Sequence, residues 1–267
     1  MAVGRNRTVE VIMKKHVDLS ISIVSYYSYD EVSRLLETIE KYTLPELKKV
    51  VYIIDNGNQA GEYAGLQYED VVYMNTGTNL GFGAGHNYVL DQLDSDYHAI
   101  VNPDILLTED SFGRILEFME HNEAGMCIPR LTDAEGNRLQ VYRREITVLD
   151  VFIRMFCRGL FKKRAAYHTL EEQDYSEPFL VPFAQGSFLV IRTELWKQLG
   201  GFDERYFMYL EDADLCKRVN EISGVIYYPG TSVIHEWKRE SHRNKKLFKC
   251  HLRSMHEYFR KWGYRWH

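Results

Sequence analysis

Apolar and polar positions along this chain recur with two periods. Residues 19–25 (Leu-Ser-Ile-Ser-Ile-Val-Ser) and 50–55 (Val-Val-Tyr-Ile-Ile-Asp) are runs of strand length, and between them Val32, Leu35, Leu36 and Ile39 recur at helical spacing. The pattern predicts a βαβ unit. Ser28 and Glu31 have the spacing of a capping box at the helix start, and Pro45 marks the break after it. Further strands are predicted at 71–74 and 98–102, with helices at 84–93 and 111–121. The second half reads as a strand at 186–192, a short helix at 193–199 ended by Gly200-Gly201, a helix at 211–221 and a strand at 225–228. Such alternation predicts an α/β fold: a single Rossmann-like domain with a mostly parallel central sheet flanked by helices and right-handed crossovers. Ligands of open α/β sheets gather at the carboxyl ends of strands, and Ser25, Asp55 and Asp104 fall there.

Composition narrows the class. A chain of 267 residues with 45% hydrophobic content can bury one substantial core. No apolar run approaches the roughly 20 residues of a membrane span, and the first 16 residues lack a continuous apolar segment, so a cytoplasmic protein is expected. Four cysteines without Cys-x-x-Cys spacing suggest neither a disulfide framework nor a thiolate zinc site. The net charge of −5 hides an asymmetry: residues 238–267 carry ten Lys/Arg against two Glu, so the acidic excess sits in the rest of the chain. A basic end on an acidic body points to an anionic surface, substrate or partner. Without a nucleic-acid recognition motif, the acidic body argues against nucleic acid as that partner.

Four segments could carry chemistry. Asn102-Pro103-Asp104 ends a strand on a stiff turn with a carboxylate, a place suited to Mg²⁺ or Mn²⁺ shared with diphosphate oxygens; the alternative is a turn whose Asp caps the next helix. The run from Asn79 to Asn87 alternates Gly81, Gly83 and Gly85 before a helix, where backbone amides could face phosphate; the alternative is a tight loop packed under a helix. Its spacing does not fit a dinucleotide fingerprint, so no nicotinamide site is expected. Residues 202–214 gather several carboxylates in an aromatic-rich stretch. In a helix starting near Glu211, Glu211 and Asp214 share a face while Asp212 points elsewhere, leaving one of the pair for a cleft. His235 follows a short strand; an imidazole completing a site with Asp104 suits Mn²⁺ better than Mg²⁺.

Taken in order, these segments resemble the family-two glycosyltransferases with the GT-A fold, particularly bacterial rhamnosyltransferase-like members, from about residue 19 to 237. The matching residues are Ser25-Tyr26-Tyr27, Asp55-Asn56, the 79–87 run, Asn102-Pro103-Asp104 in the place of Asp-x-Asp, Gly186-Ser187, Gly201-Phe202-Asp203 leading to Glu211-Asp212, and His235. The resemblance implies an N-terminal extension (1–17), a GT-A domain (18–240) with a nucleotide-sugar half (18–135) and an acceptor half (136–240), and a basic amphipathic C-terminal helix (241–267). It implies that Ser25, Tyr27, Asp55, Asn56, Asn79, Gly81, Asn87, Asn102, Asp104 and Gly186 line the nucleotide-sugar donor. Asp104 and His235 would ligate a divalent metal, Mn²⁺ or Mg²⁺, and Trp237 would face the acceptor. Asp212 would be the base, with Glu211 as second candidate. The expected reaction is inverting hexosyl transfer, with L-rhamnose from dTDP-rhamnose first and a UDP-hexose second, to a hydroxyl of a growing cell-surface polysaccharide or lipid-linked oligosaccharide. Two departures stand out: Asn102 replaces the first acid of Asp-x-Asp, and Tyr27 stands where relatives often carry Asn. A sugar nucleotidyltransferase would show a Gly-rich, basic loop near the first strand, and residues 25–31 contain no Gly, Lys or Arg. A non-catalytic carbohydrate-binding protein of the same fold would have no use for Asp104, Asp212 and His235.

Two amphipathic stretches remain. Val148, Leu149, Phe152, Ile153, Phe156, Leu160 and Phe161 lead into Lys162-Lys163-Arg164, and Phe248, Leu252, Met255, Phe259, Trp262 and Trp266 recur among basic residues. They are expected to rest on the inner face of an anionic cell membrane or grip a lipid-linked acceptor; the alternative is docking on the domain itself or on a homodimer partner.

Overall fold

Alternation within the first strand sets the layering. In β1 (Val17–Ser25), Leu19, Ile21 and Ile23 are buried on one face, and Ser20 and Ser22 are equally buried on the other. The structure, a computed structural model, describes residues 16–156, 161–236 and 245–266. Its strands continue as β2 (Lys49–Asp55), β3 (Val71–Asn75), β4 (Ser95–Val101), β5 (Ile105–Leu107), β6 (Met126–Thr132), β7 (Tyr142–Arg143), β8 (Phe179–Leu180), β9 (Phe183–Ala184), β10 (Phe188–Arg192) and β11 (Val225–His235). The helices are α1 (Tyr29–Tyr42), α2 (Ala60–Tyr63), α3 (Phe82–Asn87), α4 (Ser111–His121), α5 (Val148–Phe156), α6 (Lys162–His168), α7 (Thr193–Gln198), α8 (Glu211–Asn220) and α9 (Lys245–Trp262).

The main sheet has the order β3-β2-β1-β4-β10-β6-β11-β5, with β8 beside β11, and β7 and β9 form a separate ribbon. Most of its register is parallel, through β3-β2-β1-β4 and β6-β11; β10 enters antiparallel between β4 and β6 and joins the two halves. This is the expected α/β sheet. Helix α1 buries Val32, Leu35, Leu36 and Ile39, the stripe read from the sequence, at about 1.5–3 kcal/mol for each full burial.

Two local expectations fail for physical reasons. Ser28 does not cap α1 through its hydroxyl, which instead lies 3.1 Å from Ser25 Oγ and accepts from Tyr26 N at 3.3 Å. Strand β6 went unpredicted because Pro129 and Arg130 interrupt it, and proline is rare inside sheets. It is nevertheless central: β11 shifts register between Tyr228 and Ser232, next to the Pro129 pairing, and this irregularity accommodates the ring.

Beneath β1 the two serines belong to a chain of buried hydroxyls and imidazoles. Ser20 Oγ lies 2.8 Å from both Ser95 Oγ and His98 Nδ1, and Ser22 Oγ lies 3.0 Å from His98 Nε2 and 2.7 Å from His86 Nδ1. Burial lowers His98 to about 3 and pushes His86 well below its ordinary 6.5, helped there by His98. Both therefore stay neutral in the folded state where the unfolded chain binds protons, so stability is complete above the unfolded value of 6.5 and is lost as pH falls below it. At about 1.4 kcal/mol per pH unit for each group, unfolding free energy should drop by about 4 kcal/mol between about pH 7.5 and pH 5. Urea titrations at the two pH values measure this; equal midpoints would show that the two imidazoles are protonated in the native state.

Candidate active site

The carboxyl ends of β1 and β2 form a rigid floor. Asp55 is fully buried and accepts from Gly57 N at 2.7 Å, Gln59 N at 2.5 Å and the Tyr73 hydroxyl at 2.6 Å, folding the turn beyond β2 around its carboxylate. The Ser25 hydroxyl lies 2.6 Å from Tyr63 Oη. Asn56 donates to Gly81 O at 2.9 Å and accepts from Thr76 Oγ1 at 3.1 Å, tying β2 to the glycine-rich loop. What this floor presents to solvent is aromatic: Tyr26 and Tyr27 are 55% and 66% exposed, and Tyr27 has φ +55°. A left-handed tyrosine costs of order 1–3 kcal/mol, and such strain clusters at ligand sites. Beside it opens a cavity of ≈ 540 Å³ lined by Tyr27, Gly57, Asn58, Gln59, Gly61 and Glu62.

The alternating glycines are a docking surface for the second half of the chain. Gly81 has φ +88° and a Cβ there would lie 2.2 Å from Phe207 O; one at Gly83 would lie 2.8 Å from Phe202 Cβ, and one at Gly85 2.8 Å from Val24 Cγ2. Asn79 accepts from Gly81 N at 2.9 Å, closing the loop. Asn87 donates to Phe202 O and accepts from Phe202 N, both at 2.8 Å, so its amide fastens the segment that leads into α8. The tight-loop reading thus describes how the 79–87 run is packed, whatever its backbone also offers a ligand.

Asp104 and His235 meet from opposite ends of the chain. Strand β11 pairs antiparallel with β5, His235 opposite Ile105, and Glu236 N donates to Asp104 O at 2.9 Å. The imidazole Nε2 lies 3.3 Å from Asp104 Oδ1, and His235 is buried. Asp104 is free of the capping duty that the sequence left open, because Asp110 caps α4 by accepting from Gly113 N at 3.1 Å. Around the pair, Asp104 Oδ1, Asn102 Oδ1, Gln185 Oε1 and Ser187 Oγ are buried without a hydrogen-bond partner among the described residues. Adjacent donors of an octahedral cation with bonds of about 2.1 Å lie about 3 Å apart, so the carboxylate and imidazole fit one divalent ion, and the mixed set suits Mn²⁺. Among the described residues no group of three His, Cys, Asp or Glu side chains is placed to hold a metal, so remaining positions would fall to phosphate or water oxygens.

From this pair the wall continues to the carboxylates of α8. Asn102 N donates to Ser187 O at 2.9 Å, and Gly186 N donates to Asp212 Oδ2 at 3.1 Å. Ala213 N donates to Asp212 Oδ1 at 2.8 Å. A Cβ on Gly186 would lie 3.1 Å from Asp212 Cβ, so glycine permits this approach. Tyr209 and Leu210, with φ +73° and +68°, place two consecutive left-handed residues before the helix and turn its first carboxylates inward. Burial lifts Asp212 above the usual carboxylate range, against the lowering pull of the two N–H donors and of Arg143. Glu211 is driven well above that range by burial and by the Asp212 charge, and its Oε2 has no hydrogen-bond partner among the described residues. Asp214, on the Glu211 side as the periodicity required, is structural: it binds Arg218 Nε at 2.8 Å, Lys261 Nζ at 2.6 Å and Trp262 Nε1 at 2.8 Å.

Sequence reasoning missed Gln185, Arg143 and the left-handed pair. Gln185 and Arg143 sit in irregular chain or a two-residue strand without a motif, and only the proximity of Gly186 hinted at the first. Trp237 lies outside the described residues. A second cavity, ≈ 400 Å³ and lined by Glu145, Lys217, Glu221 and Arg265 among others, lies between α8 and the C-terminal segment, away from this wall.

A parallel half whose strand ends carry Asp55 and Asp104, joined through an antiparallel strand to a carboxylate-bearing helix, is the GT-A architecture of glycosyltransferases. The model of the family described as "Glycosyl transferase family 2" matches residues 20–200, and the chain belongs to that family. The rhamnosyltransferase WbbL of Escherichia coli (strain K12) is 31% identical over 256 residues, 89% of this chain and 91% of that protein. The N-acetylglucosaminyl-diphospho-decaprenol L-rhamnosyltransferase of Mycobacterium tuberculosis (strain ATCC 25618 / H37Rv) is 28% identical, covering 90% of this chain and 81% of that protein. Among solved structures, GalNAc-T7 with UDP, GalNAc and Mn²⁺ has a TM-score of 0.66 at 14% identity, over 86% of this chain and less than half, 45%, of that one. The mannosyltransferase PcManGT from Pyrobaculum calidifontis in complex with GDP-Man and Mn²⁺ has a TM-score of 0.61 at 13% identity, over 93% and 66%. At these identities the structural neighbours speak for the fold.

Proposed function

We propose that this glycosyltransferase moves L-rhamnose with inversion from dTDP-rhamnose to a hydroxyl of a growing surface polysaccharide or lipid-linked oligosaccharide. The observation that carries the reading is the pairing of near full-length similarity to two rhamnosyltransferases with one wall that runs from Asp104 and His235 to Asp212. Attack at the anomeric carbon through an oxocarbenium-like transition state needs a base on one face and a stabilised leaving group on the other. Asp212, raised in basicity and held by two N–H donors, removes the acceptor proton as its oxygen attacks. Asp104 and His235 would hold the divalent cation, Mn²⁺ or Mg²⁺, which when bound neutralises charge on the departing diphosphate. Tyr26 and Tyr27 supply exposed aromatic faces for the base, over the floor that Asp55 organises.

A thermal-shift screen of dTDP-rhamnose, UDP-glucose, UDP-N-acetylglucosamine and GDP-mannose with and without Mn²⁺ tests the donor, since stabilisation follows affinity and concentration. The expected result is the largest shift with dTDP-rhamnose plus Mn²⁺, followed by transfer that gives a product of opposite anomeric configuration by NMR. A larger shift with a UDP-hexose reassigns the donor; a retained configuration removes the single-displacement role from Asp212.

A further inference from the structure

Helix α9 carries a wider apolar stripe than its docking site uses. Its inner face is fastened to the domain: Tyr258 and Phe259 are buried, Ser254 Oγ donates to Met208 O at 2.8 Å, and Trp262 Nε1 and Lys261 Nζ hold Asp214. The expectation of docking on the domain is therefore met along this face. Phe248 and Leu252, one turn apart, continue the stripe past that contact and are 50% and 42% exposed. Lys246, Lys249, Arg253 and Arg260 are exposed on the outward side next to them. A band of large apolar side chains edged by cations is the pattern of a helix lying in a membrane interface. Among the described residues no helix is long and apolar enough to cross a bilayer, so contact along the surface is the mode this face allows.

Charge selects the occupant. A symmetric contact between two copies would set this cationic edge against itself, because an isologous interface pairs a patch with its own equivalent. An anionic surface complements it instead. We propose that the outward face of α9 seats the protein on an anionic lipid surface, with Phe248 and Leu252 entering the headgroup boundary and Lys249 and Arg253 against lipid phosphates. Helix α9 is bonded to Met208 and Asp214, on either side of Glu211 and Asp212, so this seating holds the α8 carboxylates close to the lipid. The inference goes beyond the donor assignment and does not depend on which sugar moves.

Flotation of the full chain with phosphatidylcholine vesicles containing about 30% phosphatidylglycerol, at about 50 mM and 500 mM salt, tests it without any turnover. The protein is expected to float with these vesicles at low salt, to be released at high salt, and to stay behind with pure phosphatidylcholine. Each cation near such a surface adds roughly fivefold to partitioning, so the Lys249→Gln/Arg253→Gln pair should weaken it about 25-fold. The Phe248→Ser/Leu252→Ser pair should weaken it roughly tenfold, and, being exposed, both pairs should melt within a few degrees of wild type. Absence of flotation at low salt overturns the proposal, as does flotation that neither pair changes. A dimer in light scattering that Phe248→Ser/Leu252→Ser dissociates would give the face to a second copy instead.

Discussion

Replacing Asp212 with Asn is expected to lower kcat by about 10²- to 10⁴-fold while the donor dissociation constant stays within about twofold of wild type. The carboxamide keeps the shape of the side chain and can still accept one of the two N–H bonds from Gly186 and Ala213, so the wall remains built. What is lost is the only group in that position that can take the acceptor proton. The neighbouring exchange Glu211→Gln should cost less than about tenfold, because burial and the Asp212 charge keep that carboxyl protonated and a neutral acid is replaced by a neutral amide. The pH dependence separates the two further. A base must be ionised to act, so kcat/KM of the wild type should fall as pH drops through an Asp212 pKa lying above the usual carboxylate range, and this acid limb should vanish from the residual activity of Asp212→Asn. Single-turnover rates and donor titrations of both variants decide the matter. Loss of turnover in Glu211→Gln with near-normal turnover in Asp212→Asn would exchange their roles.

The parts of this fold that the sequence exposes are those in which one side chain after another repeats a local rule. The α1 stripe, the apolar runs of β1 and β2 and the Gly200-Gly201 stop after α7 depend on neighbours within a few residues, and each is found where its pattern places it. Strand β6 breaks the local rule at Pro129 and is a strand because an irregularity in β11, some hundred residues later, accommodates it. The candidate site divides in the same way. Asp104 and Asp212 stand out because carboxylates at a strand end and at a helix start are visible in one dimension. That Asp104 is free while Asp110 caps the next helix, that Asn87 fastens Phe202, and that Asp55 folds its own turn are consequences of packing between distant segments. The His86–Ser22–His98–Ser20 chain was equally hidden, since its serines occupy positions indistinguishable from any alternating strand.

Removing the Asp104 carboxylate should have the second largest effect, and for a different reason. In Asp104→Ala the backbone stays tied to β11 through Glu236 N, and the lost Oδ1 made no hydrogen bond, so the melting temperature should barely move. Asn102 supplies no charge, so the exchange removes the anionic donor beside His235. A cation's help to a departing diphosphate amounts to several kcal/mol, so kcat/KM should fall at least about 100-fold. His235→Ala, which leaves the carboxylate, should lose roughly tenfold and require more Mn²⁺ to saturate. The opposite change, Asn102→Asp, restores a second acid next to the first and should lower the Mn²⁺ concentration at half-maximal rate, because the added charge favours the ion more than the two carboxylates repel each other once it is bound. Turnover titrated with Mn²⁺ after chelation, together with donor calorimetry with and without the ion, measures all three. A chelated wild type that works at full rate, or an Asp104→Ala enzyme with an unchanged Mn²⁺ requirement, would move the leaving-group chemistry away from this pair and onto the unpartnered polar atoms of Asn102, Gln185 and Ser187.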